Sequence, residues 1–122
     1  MPRVSHFREL LVWQRGIGLV VAVYRLSGSF PKNEMYGLTS QIRRAAVSVP
    51  SNIAEGHTRE STRDYLSHIS VAQASLAEVE THLEVALRLE YSAEPEVRPV
   101  FEECTILGKQ LYKLRDALKK RL

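Results

Sequence analysis

Apolar residues recur along this chain in steps of three and four, the spacing of one face of an α-helix, and no segment alternates in twos as a half-buried strand would. Phe7, Leu10, Trp13, Ile17, Val20 and Tyr24 predict a first helix over about residues 5–27. A second stripe, Val12, Leu19, Val23 and Leu26, lies beside it. The combined surface is wider than one bundle face needs, so the helix is expected either to be deeply buried or to pack on another subunit as well. Met35, Leu38, Ile42, Ala45, Val49 and Ile53 predict a second helix over about 34–57, with Asn33 as its N-cap and Gly56 as its stop. Pro50 falls inside it and is expected to kink it near Ala46, because proline lacks the amide hydrogen that would bond that carbonyl. Tyr65, Ile69, Ala72, Leu76, Val79, Leu83 and Ala86 predict a third helix over about 61–91, opened by the capping-box-like Ser61-Thr62-Arg63-Asp64. Val97, Val100, Cys104, Leu107, Leu111, Leu114 and Leu118 predict a fourth over about 94–120. Pro95 and Pro99 are expected to be tolerated there because the first amides of a helix lack partners anyway.

The connections are short, so consecutive helices are expected to reverse direction. The predicted fold is all-α, an antiparallel up-down-up-down four-helix bundle in a single domain over residues 1–122. The composition, 44% hydrophobic and 25% charged, suits a globular chain. One cysteine, Cys104, precludes an internal disulfide and fits a reducing compartment. The longest apolar run, Ile17 to Tyr24, is too short to span a bilayer. With charges at Arg8 and Glu9, where a signal peptide would be apolar, a cytoplasmic location away from membranes is expected.

Helical bundles often hold metals, but the paired Glu-x-x-His motifs of di-iron bundles do not occur. His6, His57, His68 and His82 have no ligand spacing and read as surface or capping residues. Cys104 falls on an apolar stripe and reads as core, and Gly16-Ile17-Gly18 lies in a helical pattern rather than in a phosphate loop. No cofactor, metal or enzymatic activity is expected. One polar constellation stands out: Gln41, Arg44, Ser48, Asn52, Glu55 and Arg59 recur at helical spacing, with Arg43 beside them. This line is either a solvated face or, given its short Ser and Asn side chains, a surface that meets another polar surface closely, on a subunit or a nucleic-acid backbone. The formal charge of +3 permits nucleic-acid binding without demanding it.

The segments Val12-Trp13-Gln14, Phe30-Pro31, Glu34, Tyr36-Gly37-Leu38, QIRRAAVSVPSNIAEG from Gln41 to Gly56, and Ala74 to Thr81 together resemble the four-helix-bundle proteins encoded within intervening sequences of bacterial 23S rRNA genes. They are also similar to the accessory variability proteins of diversity-generating retroelements. The resemblance implies a ring-like homopentamer with a basic central pore and no enzymatic activity. For the retroelement members it implies binding of nucleic acid and of a reverse transcriptase. The expected function is therefore that of a non-enzymatic oligomer that binds structured RNA or DNA. Arg43, Arg44, Arg59 and Arg63 are the first candidate contacts, followed by Arg15, Lys109 and Lys113, while Gln41, Ser48, Asn52 and Glu55 are candidates for an interface. The alternative is a protein scaffold for a polymerase or another partner, with no direct nucleic-acid role.

Overall fold

The computed structural model describes residues 6–122 of the chain, and within them four α-helices and no strand: α1 Leu11–Ser27, α2 Leu38–Thr58, α3 Thr62–Arg88 and α4 Glu94–Lys119. Each helix packs on two neighbours, α1 and α3 both lying against α2 and α4, and the α2–α3 contact is the most extensive. All four contribute to one apolar core, in which Leu19, Ile42, Ile53, Ile69, Leu83, Leu107, Leu111 and Leu118 are wholly buried.

The stripes expected of α3 and α4 form the core, apart from Tyr65 and Leu114, which are only partly buried. The first helix corrects the reading of its two stripes. Val12, Leu19, Val23 and Leu26, the stripe named second, are buried, whereas Ile17 and Tyr24 of the first are 39% and 44% exposed. Both stripes have helical spacing, so periodicity alone cannot say which one faces inward. Gly16 decides it: a Cβ there would lie 3.2 Å from Cβ of Pro50, so α1 turns this bare position toward the proline ring of α2. Gly18 faces open space, with nothing within 4 Å of a Cβ placed on it.

Helix ends differ from expectation where the chain uses tighter turns. Ser5, the expected start of the first helix, lies outside the described residues. Phe7–Glu9 form a 3-10 turn capped by His6, whose Nδ1 accepts from the Arg8 amide, and α1 begins only at Leu11. Asn33 is not an N-cap, because it sits inside a second 3-10 turn, Lys32–Glu34. Met35, expected in the core, precedes α2 and is 49% exposed. The amide of Leu38 donates instead to Oε1 of Glu34 at 3.1 Å, so a side chain four residues upstream caps α2. Gly56 does not stop α2, which runs unbroken through Pro50 to Thr58. Ser61 caps α3 as expected, its Oγ accepting from the Asp64 amide at 3.0 Å. Pro95 occupies the first turn of α4, but Pro99 lies beyond it and leaves the carbonyl of the exposed Pro95 without its helical donor.

At its C-terminus α3 ends in a Schellman arrangement. Glu90 adopts φ 60°, and the Tyr91 and Glu90 amides donate to the carbonyls of Ala86 and Leu87. This turn delivers Tyr91 to the α1–α2 loop, where its ring lies 5.9 Å from Phe30 and its hydroxyl donates to Oε2 of Glu34 at 2.7 Å. Glu34 thus ties two loops together while capping α2. The Tyr91 hydroxyl first, and the Leu38 amide second, hold its carboxyl below the ordinary value near 4.5.

Two expectations follow from these contacts. A Cβ on Gly56 would lie 2.8 Å from Cβ of His68 and 2.9 Å from Cδ1 of Tyr65. Gly56→Ala should therefore force α2 off α3 and cost about 1–3 kcal/mol, whereas Gly18→Ala should stabilise by about 0.5–1 kcal/mol through helix propensity. Urea unfolding of both variants checks the pair, and equal shifts would refute the close approach. A carboxyl held low in the folded state adds stability above its unfolded value and loses it as pH falls through the folded one. Acidification below about pH 4.5 should consequently lower the thermal midpoint of the wild type more steeply than that of Tyr91→Phe, and parallel pH profiles would contradict the clamp.

Candidate interaction surfaces

The polar line of α2 is not one surface. Gln41, Arg44, Glu55 and Arg59 are exposed, but Ser48 and Asn52 are partly buried against α3. Ser48 Oγ lies 2.8 Å from Ser75 Oγ, and one turn on, Asn52 Nδ2 donates to the Ser48 carbonyl at 2.9 Å and to its Oγ at 3.0 Å. Since a carbonyl can only accept, that contact orients the Asn52 amide. Its Oδ1 therefore accepts from His68 Nδ1 at 3.0 Å, which places the proton of the imidazole on Nδ1. Oε2 of Glu55 stands 3.6 Å from the same nitrogen. The close polar partner expected for Ser48 and Asn52 is thus α3 of the same chain. His68, read from sequence as a surface or capping residue, is a member of this network. Asn52 stands between the serines and the imidazole, so the network contains no hydroxyl–imidazole pair of the kind that activates a nucleophile.

Arg43 has a structural engagement as well. Its Nε donates to Ser27 Oγ at 2.8 Å, its terminal nitrogen reaches the Tyr24 carbonyl at 3.4 Å, and its guanidinium lies 4.6 Å from the Tyr24 ring centroid. It closes the last turn of α1, where free carbonyls and the negative end of the helix dipole favour a cation. Arg15 is half-buried, and its Nε has no hydrogen-bond partner among the described residues.

The remaining candidates are exposed and form no ion pair among the described residues. They do not all lie together. Arg59 and Arg63 flank the turn between α2 and α3, while Lys109 and Lys113 sit one turn apart on α4, bracketing Tyr112, which is 66% exposed. These two lysines border a groove of about 530 Å³ that reaches Glu80 and Gly108. Burial raises the Tyr65 hydroxyl above its ordinary value, and the cation of Arg121, just past the end of α4, acts against that rise. Arg44 is apart from this group, about 22 Å from Arg59 along α2 at 1.5 Å per residue.

Charge is sorted along α4 and its approach. Residues 84–103 carry six acids and two bases, and residues 105–122 carry six bases and one acid. Both bases of the acidic stretch are paired within it, Arg88 with Glu84 and Arg98 with Glu94 in a two-pronged bond. In the basic stretch only Lys120 has an ion-pair partner among the described residues, Asp116 at 3.4 Å. One end of α4 therefore presents free cations and the other a neutralised or acidic surface.

The reactive groups give little chemistry. Cys104 is buried in the core, and burial first, with the carboxylates of Glu80 and Glu103 adding to it, pushes its thiol up to about 12. At neutral pH it is therefore neither a thiolate nucleophile nor a ready metal ligand. No group of three or more His, Cys, Asp or Glu among the described residues is placed to hold a metal ion, and no described helix is long and apolar enough to cross a membrane.

Residues 8–113 match the family described as 23S rRNA-intervening sequence protein. The chain belongs to that family. Its fold is similar to that of a crystallised protein of unknown function from the S23 ribosomal protein family of Bacteroides thetaiotaomicron VPI-5482, with a TM-score of 0.79 and 23% identity over 86% of this chain and 98% of that one. At that identity the likeness establishes the four-helix fold and nothing further. No curated protein matches the chain.

The Ser48–Asn52–His68 network is open to a direct test. Removing its central amide strands several partly buried polar atoms, so Asn52→Ala should cost about 1–3 kcal/mol, against about 1 kcal/mol or less for Ser75→Ala, which removes one hydroxyl contact. Denaturant unfolding measures both, and a loss below half a kcal/mol for Asn52→Ala would show that the network contributes nothing.

Proposed function

We propose that this chain is a non-enzymatic, cytoplasmic member of its family, an antiparallel up-down-up-down bundle that assembles into a ring-like homopentamer and binds structured nucleic acid through its basic end. The antiparallel order is supported by the cross-helix contacts. Arg43 near the start of α2 meets the end of α1, Asn52 meets His68 while the earlier Ser48 meets the later Ser75, and Arg121 at the end of α4 acts on Tyr65 at the start of α3. Assembly is supported by the outward apolar stripe of α1, where Ile17, Val21 and Tyr24 stay partly exposed although Arg43 of α2 reaches over Tyr24. The number five comes from the family resemblance.

The observation that carries the binding reading is a set of cations with no ion pair among the described residues: Arg59, Arg63 and Arg121 at the end of the bundle where α2 and α4 finish and α3 begins, with Lys113 and then Lys109 further back along α4, beside Glu80 of α3. Phosphate contacts from arginine and lysine release condensed counterions, and they need no concave pocket or catalytic geometry. Tyr112, exposed between Lys109 and Lys113, adds a ring that can stack on an unpaired base. In an antiparallel bundle Arg43 and Arg44 lie toward the other end, and Arg43 is already engaged with α1, so neither belongs to this group.

Affinity for a structured RNA should fall steeply between low and moderate salt, with a logarithmic slope of about 0.9 per phosphate contact on duplex or about 0.7 on single strand. Arg59→Ala, Arg63→Ala and Lys113→Ala should each lower that slope by about one, while Arg88→Ala, already paired with Glu84, should leave it unchanged. Absence of binding at low salt, or a slope unaffected by the first three substitutions, would overturn the reading.

A further inference from the structure

Two outer faces of the bundle are apolar and lack a covering apolar partner among the described residues, and their charge borders are opposite. The first is the outward stripe of α1. Ile17, Val21 and Tyr24 are 39%, 42% and 44% exposed, and Val47 of α2, one turn beyond the Arg43 that covers Tyr24, is 40% exposed. Arg25 and Arg43 border this stripe, and α1 contains no acidic residue at all. The second is a groove of about 500 Å³ between the end of α3 and the first half of α4, with Leu87, Phe101 and Ile106 in its wall and Glu94, Arg98 and Glu102 at its edge. The cation of Arg98 is held by both oxygens of Glu94, which leaves Glu102 as a carboxylate with no basic partner among the described residues.

The two faces also lie at the same level of the bundle. Tyr91, between α3 and α4, touches Phe30 and Glu34 of the loop between α1 and α2, so the end of α1 and the mouth of the groove are each about one turn from the same tied pair of loops.

We infer that the apolar stripe of α1 from one copy of this chain seats in the α3–α4 groove of the next, with Arg25 and Arg43 directed toward the acidic edge at Glu102. The inference rests on the proposed assembly and specifies its joint. Each copy offers both faces, so the contact is head-to-tail, and it can propagate until a rotation closes it. Faces at one level require little shift along the bundle axis, which favours a closed ring over a filament. Pairing α1 stripes with each other would instead leave Arg25 and Arg43 without an acidic partner from the facing helix, since α1 contains no acidic residue.

The test uses two full-length variants that each spoil one face, Val21→Asp on the stripe and Ile106→Asp in the groove. Oligomeric mass is measured in solution, with helix content followed by circular dichroism. The wild type should be an oligomer, and each variant alone should fall to the 13.9 kDa of one chain. Mixed together they should form a 1:1 dimer, because the intact groove of the first accepts the intact stripe of the second. A wild type that is itself monomeric overturns the assembly reading as a whole. An oligomeric wild type with either variant still at full mass, or a mixture that stays monomeric, overturns the joint alone. Should a variant lose helix, Ile17→Asp and Glu102→Arg carry the same comparison at exposed positions, and the same masses decide it.

Discussion

At Gly56 the backbone of α2 approaches α3 so closely that a single added carbon would meet Cβ of His68 and the ring of Tyr65. Such an approach is open only to a residue without a side chain, and it sets the separation of the two most extensively packed helices. At that separation short side chains span the gap. The hydroxyls of Ser48 and Ser75 meet directly, and the amide of Asn52 reaches His68. Longer polar residues would have to bend away, and apolar ones would leave the others unpaired. The hydrogen bonds in turn fix the register of α2 on α3, since a slip of one residue would break all of them. On its opposite side α2 holds α1 through Pro50 against Gly16 and through Arg43 over Tyr24. The second helix is thus the element against which the others are located.

The helix count and most of the core were legible in the sequence because apolar periodicity is set by burial, and burial in a bundle is decided mainly within each helix. Failures came where a neighbouring element decides. Two stripes of α1 have equal periodicity, and only the bare Gly16 opposite Pro50 turns Val12, Leu19 and Val23 inward. The start of α2 was misplaced because its cap is the side chain of Glu34, held by Tyr91, rather than a residue of the usual capping type at the helix boundary. Within the candidate site, Arg59, Arg63, Lys109 and Lys113 were found as exposed cations. The engagement of Arg43 with the end of α1 depends on a residue sixteen positions away and had no local signal. For Ser48 and Asn52 the short side chains were a real sign of close polar contact, and Ser75 within the apolar run of α3 was the matching sign on the partner helix.

The sorting of charge on α4 has two physical sources. Acids in its first turn and bases in its last complement the helix dipole, which accounts for Glu94, Glu96 and Lys119. That effect fades within a turn, so it does not account for Lys113 and Lys109, which lie about two and three turns inside the helix and are exposed with no ion pair among the described residues.

Gly16 and Pro50 are each poor choices for the middle of a helix when taken alone, one for its excess backbone freedom and the other for its missing amide. Together they make a close crossing with the proline ring set against a bare backbone. The two positions are therefore historically bound to one another. A lineage that gains a side chain at the glycine inherits a tight contact with the ring that α1 or α2 must yield to, and one that loses the proline keeps a glycine that no longer faces the ring. Change at this crossing should arrive as a coordinated exchange of both residues, so a pairwise signature between positions 16 and 50 is what descent would leave behind in any relative that keeps the same crossing.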